Sequence, residues 1–137
     1  MDAASAVTNA LADLTEISSQ VEAAVVLDAD GSVLGSTLDD EARTERLARA
    51  ATELLEAVGA SVPHPGREVT QIEAALREGS VFVARDGARG IVATTTPHPT
   101  SGLVFYDLKT CLRSLETAET AETKPRRRPT KKAPADA

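Results

Sequence analysis

Apolar positions along this chain follow two rhythms, and the change from one to the other marks out its elements. Val7, Leu11, Leu14, Ile17 and Val21 recur at three- and four-residue steps, which predicts a helix over roughly residues 5–20 with one apolar stripe. Ala23–Leu27 and Ser32–Gly35 are short runs around Asp28-Ala29-Asp30-Gly31. Such runs flanking an Asp/Gly turn predict a β-hairpin, since these turn residues tolerate the backbone that reverses a strand. A second helix follows. Asp39 or Asp40 can cap it, and Glu41 suits the positive end of its dipole. Its apolar residues are Leu47, Ala48, Ala50, Ala51, Leu54, Leu55, Ala57 and Val58, with Gly59 as the expected stop. At about 100° per residue they cover roughly half the cylinder, wider than an ordinary surface helix needs. Pro63-His64-Pro65-Gly66 then excludes regular structure.

Three more strands are expected, at about Glu68–Leu76, Ser80–Arg85 and Gly90–Thr95, with turns at Glu78-Gly79 and Asp86-Gly87. Ala23–Leu27, Val81–Ala84 and Ile91–Ala93 do not alternate between apolar and polar. A strand apolar on both sides is a strand covered on both sides. A last helix, about Ser101 to Leu115, carries Val104, Leu108, Cys111, Leu112 and Leu115 on one stripe. The order α-β-β-α-β-β-β-α implies an α/β (α+β) sandwich, a five-stranded antiparallel sheet with helices on both faces. Two helices would share one face. The second helix, alone on the other, would leave apolar surface for a partner unless its own sheet covers its full width.

Composition narrows the possibilities. The chain has 137 residues, 42% of them hydrophobic and only 2% aromatic, so the core is built from Val, Leu, Ile and Ala. No apolar run approaches the ~18 residues of a membrane span. MDAASAVTNA lacks the basic-then-apolar order of a signal peptide, so a soluble, cytoplasmic protein is expected. The net charge of −6 conceals a split: the first 123 residues carry −11 and the last 14 carry +5. That basic end (Lys124, Arg126, Arg127, Arg128, Lys131 and Lys132, with three prolines) has no large apolar side chain to bury. The expected organisation is a domain over 1–115 and a disordered basic tail over 116–137.

Candidate chemistry is sparse. Asp28 and Asp30 do not match a calcium loop, which wants acidic or amide ligands at positions 1, 3 and 5, Gly at 6 and Glu at 12, whereas Gly31 stands at position 4 and Ser32 at position 5. They read as turn residues. His64 and His98 lie in Pro-His-Pro segments with no Cys–His spacing beside them, and read as loop residues. Cys111, the single cysteine, excludes an internal disulfide and lies on an apolar stripe, which suits an inert buried thiol. There is no nucleophile elbow and no G-x-x-x-x-G-K-[ST] phosphate cradle. Neither catalytic residues, cofactor nor metal is therefore expected. Arg85 and Arg89, flanking the Asp86-Gly87 turn, are solvated tip residues or cationic contacts for a partner.

The element order, with Val25-Val26-Leu27-Asp28-Ala29-Asp30-Gly31-Ser32-Val33 opening the sheet, resembles the roadblock family over roughly residues 6–115. The stretch Ala93-Thr94-Thr95-Thr96-Pro97 through Gly102–Leu108 is similar to its actinobacterial members. The resemblance implies a roadblock/profilin-like fold and a non-enzymatic dimer, in which the second helix packs on its mate and an edge strand joins two sheets. Matched to this sequence, the interface it implies is Leu47, Ala50, Ala51, Leu54 and Val58 with Val69 and Ile72 of the following strand. It also implies regulation or scaffolding of a small Ras-like GTPase, with either a homodimer or a heterodimer in the cell. The alternative is a dimerisation module whose basic tail attaches to nucleic acid, without sequence readout, or to an anionic membrane surface.

Overall fold

The computed structural model describes residues 3–62 and 68–123. Its elements, in chain order, are α1 (Ala3–Ile17), β1 (Val21–Leu27), β2 (Val33–Ser36), α2 (Glu41–Ser61), β3 (Gln71–Ala75), β4 (Ser80–Asp86), β5 (Arg89–Thr95) and α3 (Ser101–Thr123). The strands form one antiparallel sheet in the order β2-β1-β5-β4-β3. The expected α-β-β-α-β-β-β-α sandwich is the architecture found.

β1, β5 and β4 fill the middle of the sheet and are buried on both faces. This is why their sequences do not alternate. On one face Ala24, Val26, Phe82, Ala84, Ile91 and Ala93 meet Val7, Leu11 and Leu14 of α1 and Val104, Leu108, Leu112 and Leu115 of α3. Phe82 and Phe105 stack edge to face, ring centres 4.9 Å apart. Gly35 lets α1 approach β2, since a Cβ there would collide with Val7 Cγ1. On the other face Val25, Leu27, Val83 and Val92 meet Ala48 and Ala51 of α2.

Element boundaries depart from the sequence reading in four places. α1 ends at Ile17, where Ser18 N–H closes the last turn on Leu14 O (2.9 Å), and Ile17 itself is exposed rather than part of the core. It stands at the rim of the stripe, roughly 80° from the stripe's centre at about 100° per residue. α2 does not stop at Gly59 but runs to Ser61, and Val62 leaves it extended at φ −77, ψ 147. Pro63 sets that end, because the residue before a proline is driven out of the helical region. β3 is shorter than expected and begins at Gln71, so Val69 lies in the loop before it. α3 continues past Leu115 to Thr123. The basic residues from Lys124 onward, and His64, lie outside the described residues.

The candidate partner-binding surface

α2 starts where Asp40 leaves off. The Asp40 carboxylate accepts from Ala42 N–H (2.9 Å) and Arg43 N–H (3.2 Å) and so satisfies donors that no turn precedes. The Ser36 and Thr44 hydroxyls, 2.9 Å apart, tie this first turn to β2. α2 must then carry the chain from β2 at one edge of the sheet to β3 at the other. It lies over β2, β1 and β5, and among the described residues the part of that face on β4 and β3 is less fully covered.

The broad apolar band of α2 therefore divides in two. Ala48 and Ala51 sit on the sheet, and Ala51 is 0% exposed within the single chain. Leu47 and Leu54 are half-buried, and Ala50 and Val58 are exposed. On a helix this second group lies to one side of Ala51. That side opens on a hollow of about 270 Å³ whose lining includes Ala23, Leu47, Ala50, Thr94, Arg43 and Arg46.

Strand register continues the surface. Ala23 pairs with Thr94, Thr94 with Val81, and Val81 with Ala74, a row that crosses the sheet to β3. The next row runs Val25, Val92, Val83, Ile72. Beyond the shelter of α2, Thr94, Val81, Ala74 and Ile72 are only half-buried. β3 has its single neighbour in β4, so its outer edge is unpaired among the described residues. An α2 flank, a strip of half-covered sheet and an unpaired strand edge thus form one continuous face.

Of the residues expected at an interface, Leu47, Ala50, Leu54, Val58 and Ile72 border this face. Ala51 does not, because the sheet beneath it already takes its whole surface. Val69 sits near the far end of α2, where a Cβ on Gly59 would lie 4.0 Å from Val69 Cγ2. Val81, Ala74 and Thr94 were not singled out from the sequence. Their signal is strand alternation, which points them to the α2 side once the strand order is known.

The two arginines are not brought together. Arg85 pairs with Gly90 and Asp86 with Arg89, which puts Arg85 on the α2 face and Arg89 on the opposite one. Arg85 lines a cavity of about 180 Å³ with Asp28, Asp30, Thr52, Leu55 and Glu56, where the two hairpin ends meet α2. Asp28 and Asp30 are turn residues. Asp28 Oδ1 accepts from Asp30 N–H (3.1 Å) and Ser32 N–H (3.0 Å), and Gly31 takes φ 90. The hydrogen bond between the Asp30 and Asp28 side chains, then those from Ser32, holds the Asp30 carboxyl below its ordinary value. His98 is exposed in the loop after β5, at φ 58. Cys111 is buried under α1, and burial, with the nearby Asp13 charge, pushes its thiol up to about 11.

A five-stranded antiparallel sheet with two helices on one face and one on the other is an α+β fold of the roadblock and profilin type. The family model for the Roadblock/LC7 domain matches residues 7–96, and the chain belongs to that family. Among solved structures it is similar to a Roadblock/LC7 domain from Streptomyces avermitilis (TM-score 0.70, 17% identity, covering 80% of this chain and 93% of that one). It is similar also to the gliding protein MglB of Thermus thermophilus (TM-score 0.72, 16% identity, 90% and 93% covered). A third likeness is LokiProfilin2, solved in complex with rabbit actin (TM-score 0.57, 12% identity, 81% and 96% covered). At these identities the likeness is one of fold. No curated protein matches the sequence.

Proposed function

We propose that this protein is a non-enzymatic homodimeric regulator or scaffold of a small Ras-like GTPase. The observation that carries the dimer is the continuous face from the α2 flank across Thr94, Val81 and Ala74 to the edge of β3. A second copy turned about a two-fold axis would set flank against flank and edge against edge, which is the self-complementary contact that closed dimers use. It would bury the half-covered apolar residues and pair the backbone groups of the edge strand.

The GTPase role rests on family membership, since bacterial roadblock proteins resembling this one are associated with such GTPases. The fold likeness to the gliding protein MglB supports the same reading. A regulator of this type acts by contact. Arg85, on the α2 face, is the better placed of the two arginines for a partner held against the dimer, and Arg89 would reach one that wraps the sheet end.

The test is affinity capture from the native cytosol with the full chain, followed by GTP-hydrolysis assays on the GTPase recovered. Binding through the folded body should change little between about 50 and 200 mM salt, whereas phosphate contacts from a basic tail lose orders of magnitude over that range. Recovery of only nucleic acid or lipid, lost as salt rises, would replace this reading with tail-driven attachment. Hydrolysis that falls by about 10³-fold when Arg85 or Arg89 is replaced would mark an arginine finger, and a modest change would mark ordering of the GTPase's own residues.

A further inference from the structure

α2 carries its exposed charges in an order that its own fold does not require. Arg46, Ala50 and Glu53 follow one another at four and three residues, so they stand in one row along the helix, and all three are exposed. The row borders the flank of Leu47 and Leu54, which the single chain leaves half-buried. Arg46 lines the hollow of about 270 Å³ beside Leu47 and Ala50. Arg46 and Glu53 are seven residues apart, about 10 Å along the axis. Ion pairs within a helix join residues three or four apart, so this is not one of them. Helix stability does not ask for cations at this end either. Arg43, which lines the same hollow, stands in the first turn, where the helix dipole disfavours positive charge.

We infer that this row makes the α2 flank select a second copy of this chain: two α2 helices run antiparallel with the two-fold axis beside Ala50, and Arg46 of each copy meets Glu53 of the other. The inference rests on the homodimer proposed above and names what fixes its register. Arg46 lies four residues before Ala50 and Glu53 three residues after it. Reversing the row about Ala50 therefore exchanges its positive and negative positions, and a two-fold axis performs that reversal. The ion pair forms twice, at the rim of the apolar flank, while the small Ala50 side chain between the two pairs lets the helices close.

The same charges oppose the other arrangements. Parallel helices in register would set Arg46 on Arg46 and Glu53 on Glu53. An antiparallel pair slipped until the axis passes Glu53 would set that carboxylate against its own copy. Like charges brought together in this way penalise the wrong partner or register more than opposite charges reward the right one. A helix of one charge sign would be attracted at one end of the row and repelled at the other. An antiparallel second copy meets both ends favourably.

The experiment is sedimentation equilibrium of the full-length chain at low salt, comparing wild type, Arg46→Glu, Glu53→Arg and an equal mixture of the two variants. Both positions are exposed, so each variant should keep the wild-type circular dichroism. Each variant alone meets like charges at both contacts. Exposed ion pairs are individually weak, but here two change sign together, so self-association should weaken roughly tenfold. Mixed, the variants should pair with each other at near wild-type affinity, because each supplies the charge that the other lacks. Arg46→Glu with Glu53→Arg in one chain should recover in the same way. About 1 M salt, where screening acts within about 3 Å, should draw wild type and the single variants together. A wild-type monomer would remove the homodimer and this inference with it. A wild-type dimer whose affinity the single variants share would leave the homodimer standing and overturn the charge pairing. Weakened variants that do not recover on mixing would overturn it too, since the loss would then come from something other than Arg46 meeting Glu53.

Discussion

Several single residues carry more than their size suggests. Gly35 fixes how closely α1 lies on β2, because any Cβ there meets Val7 Cγ1. Gly35→Ala should therefore cost about 1–3 kcal/mol, the range for overpacking, seen as a lowered melting temperature. Burial alters the chemistry of Cys111. Its folded thiol titrates near 11, above its unfolded value. The folded state thus holds the proton more tightly, and stability should fall as pH rises from about 8.5, the ordinary thiol value, toward 11. Denaturant titrations across that interval check this, and a flat profile that Cys111→Ala leaves unchanged would contradict it. Ala50 and Ala51 are neighbours in sequence with opposite situations. Ala51 is sealed against the sheet, while Ala50 is exposed on the outer flank of α2. Ala51→Arg would damage the fold itself, so Ala50→Arg is the substitution that separates association from folding.

At the scale of elements, much of the sandwich was legible. The period-2 and period-3.6 patterns located all three helices and five strands, and non-alternating β1, β4 and β5 announced strands covered on both faces. The stripe of α3 (Val104, Leu108, Cys111, Leu112, Leu115) lies in the core as the spacing implied. Helix ends were less legible, because Pro63 overrode Gly59. The candidate site was only partly legible. Ala48 and Ala51 of the α2 band proved to belong to its own sheet, and Thr94, Val81 and Ala74 could be grouped only after the order β2-β1-β5-β4-β3 was known. Strand order follows from long-range pairing, and no local pattern encodes it. The N-cap, by contrast, is local. Asp40→Ala should cost about 1 kcal/mol and lower the melting temperature by several degrees in a domain of this size. Asp40→Asn, which keeps an acceptor, should recover most of the loss.

At the scale of the whole molecule, the two faces of the sheet divide the work. α1 and α3 close one side, and among the described residues α2 alone covers part of the other and leaves a face that ends at an unpaired strand. No helix among the described residues is long and apolar enough to cross a membrane. What covers the α2 face decides whether one chain or two make the working molecule, and light scattering after size exclusion answers that most directly. Wild type at tens of micromolar, ample for even a modest Kd, should show twice the 14.3 kDa chain mass. Ala50→Arg, which would bury an unpaired charge at the seam, should run at the chain mass while keeping the wild-type circular dichroism. A wild-type protein that stays at the single-chain mass, or an Ala50→Arg dimer as tight as wild type, would contradict the account.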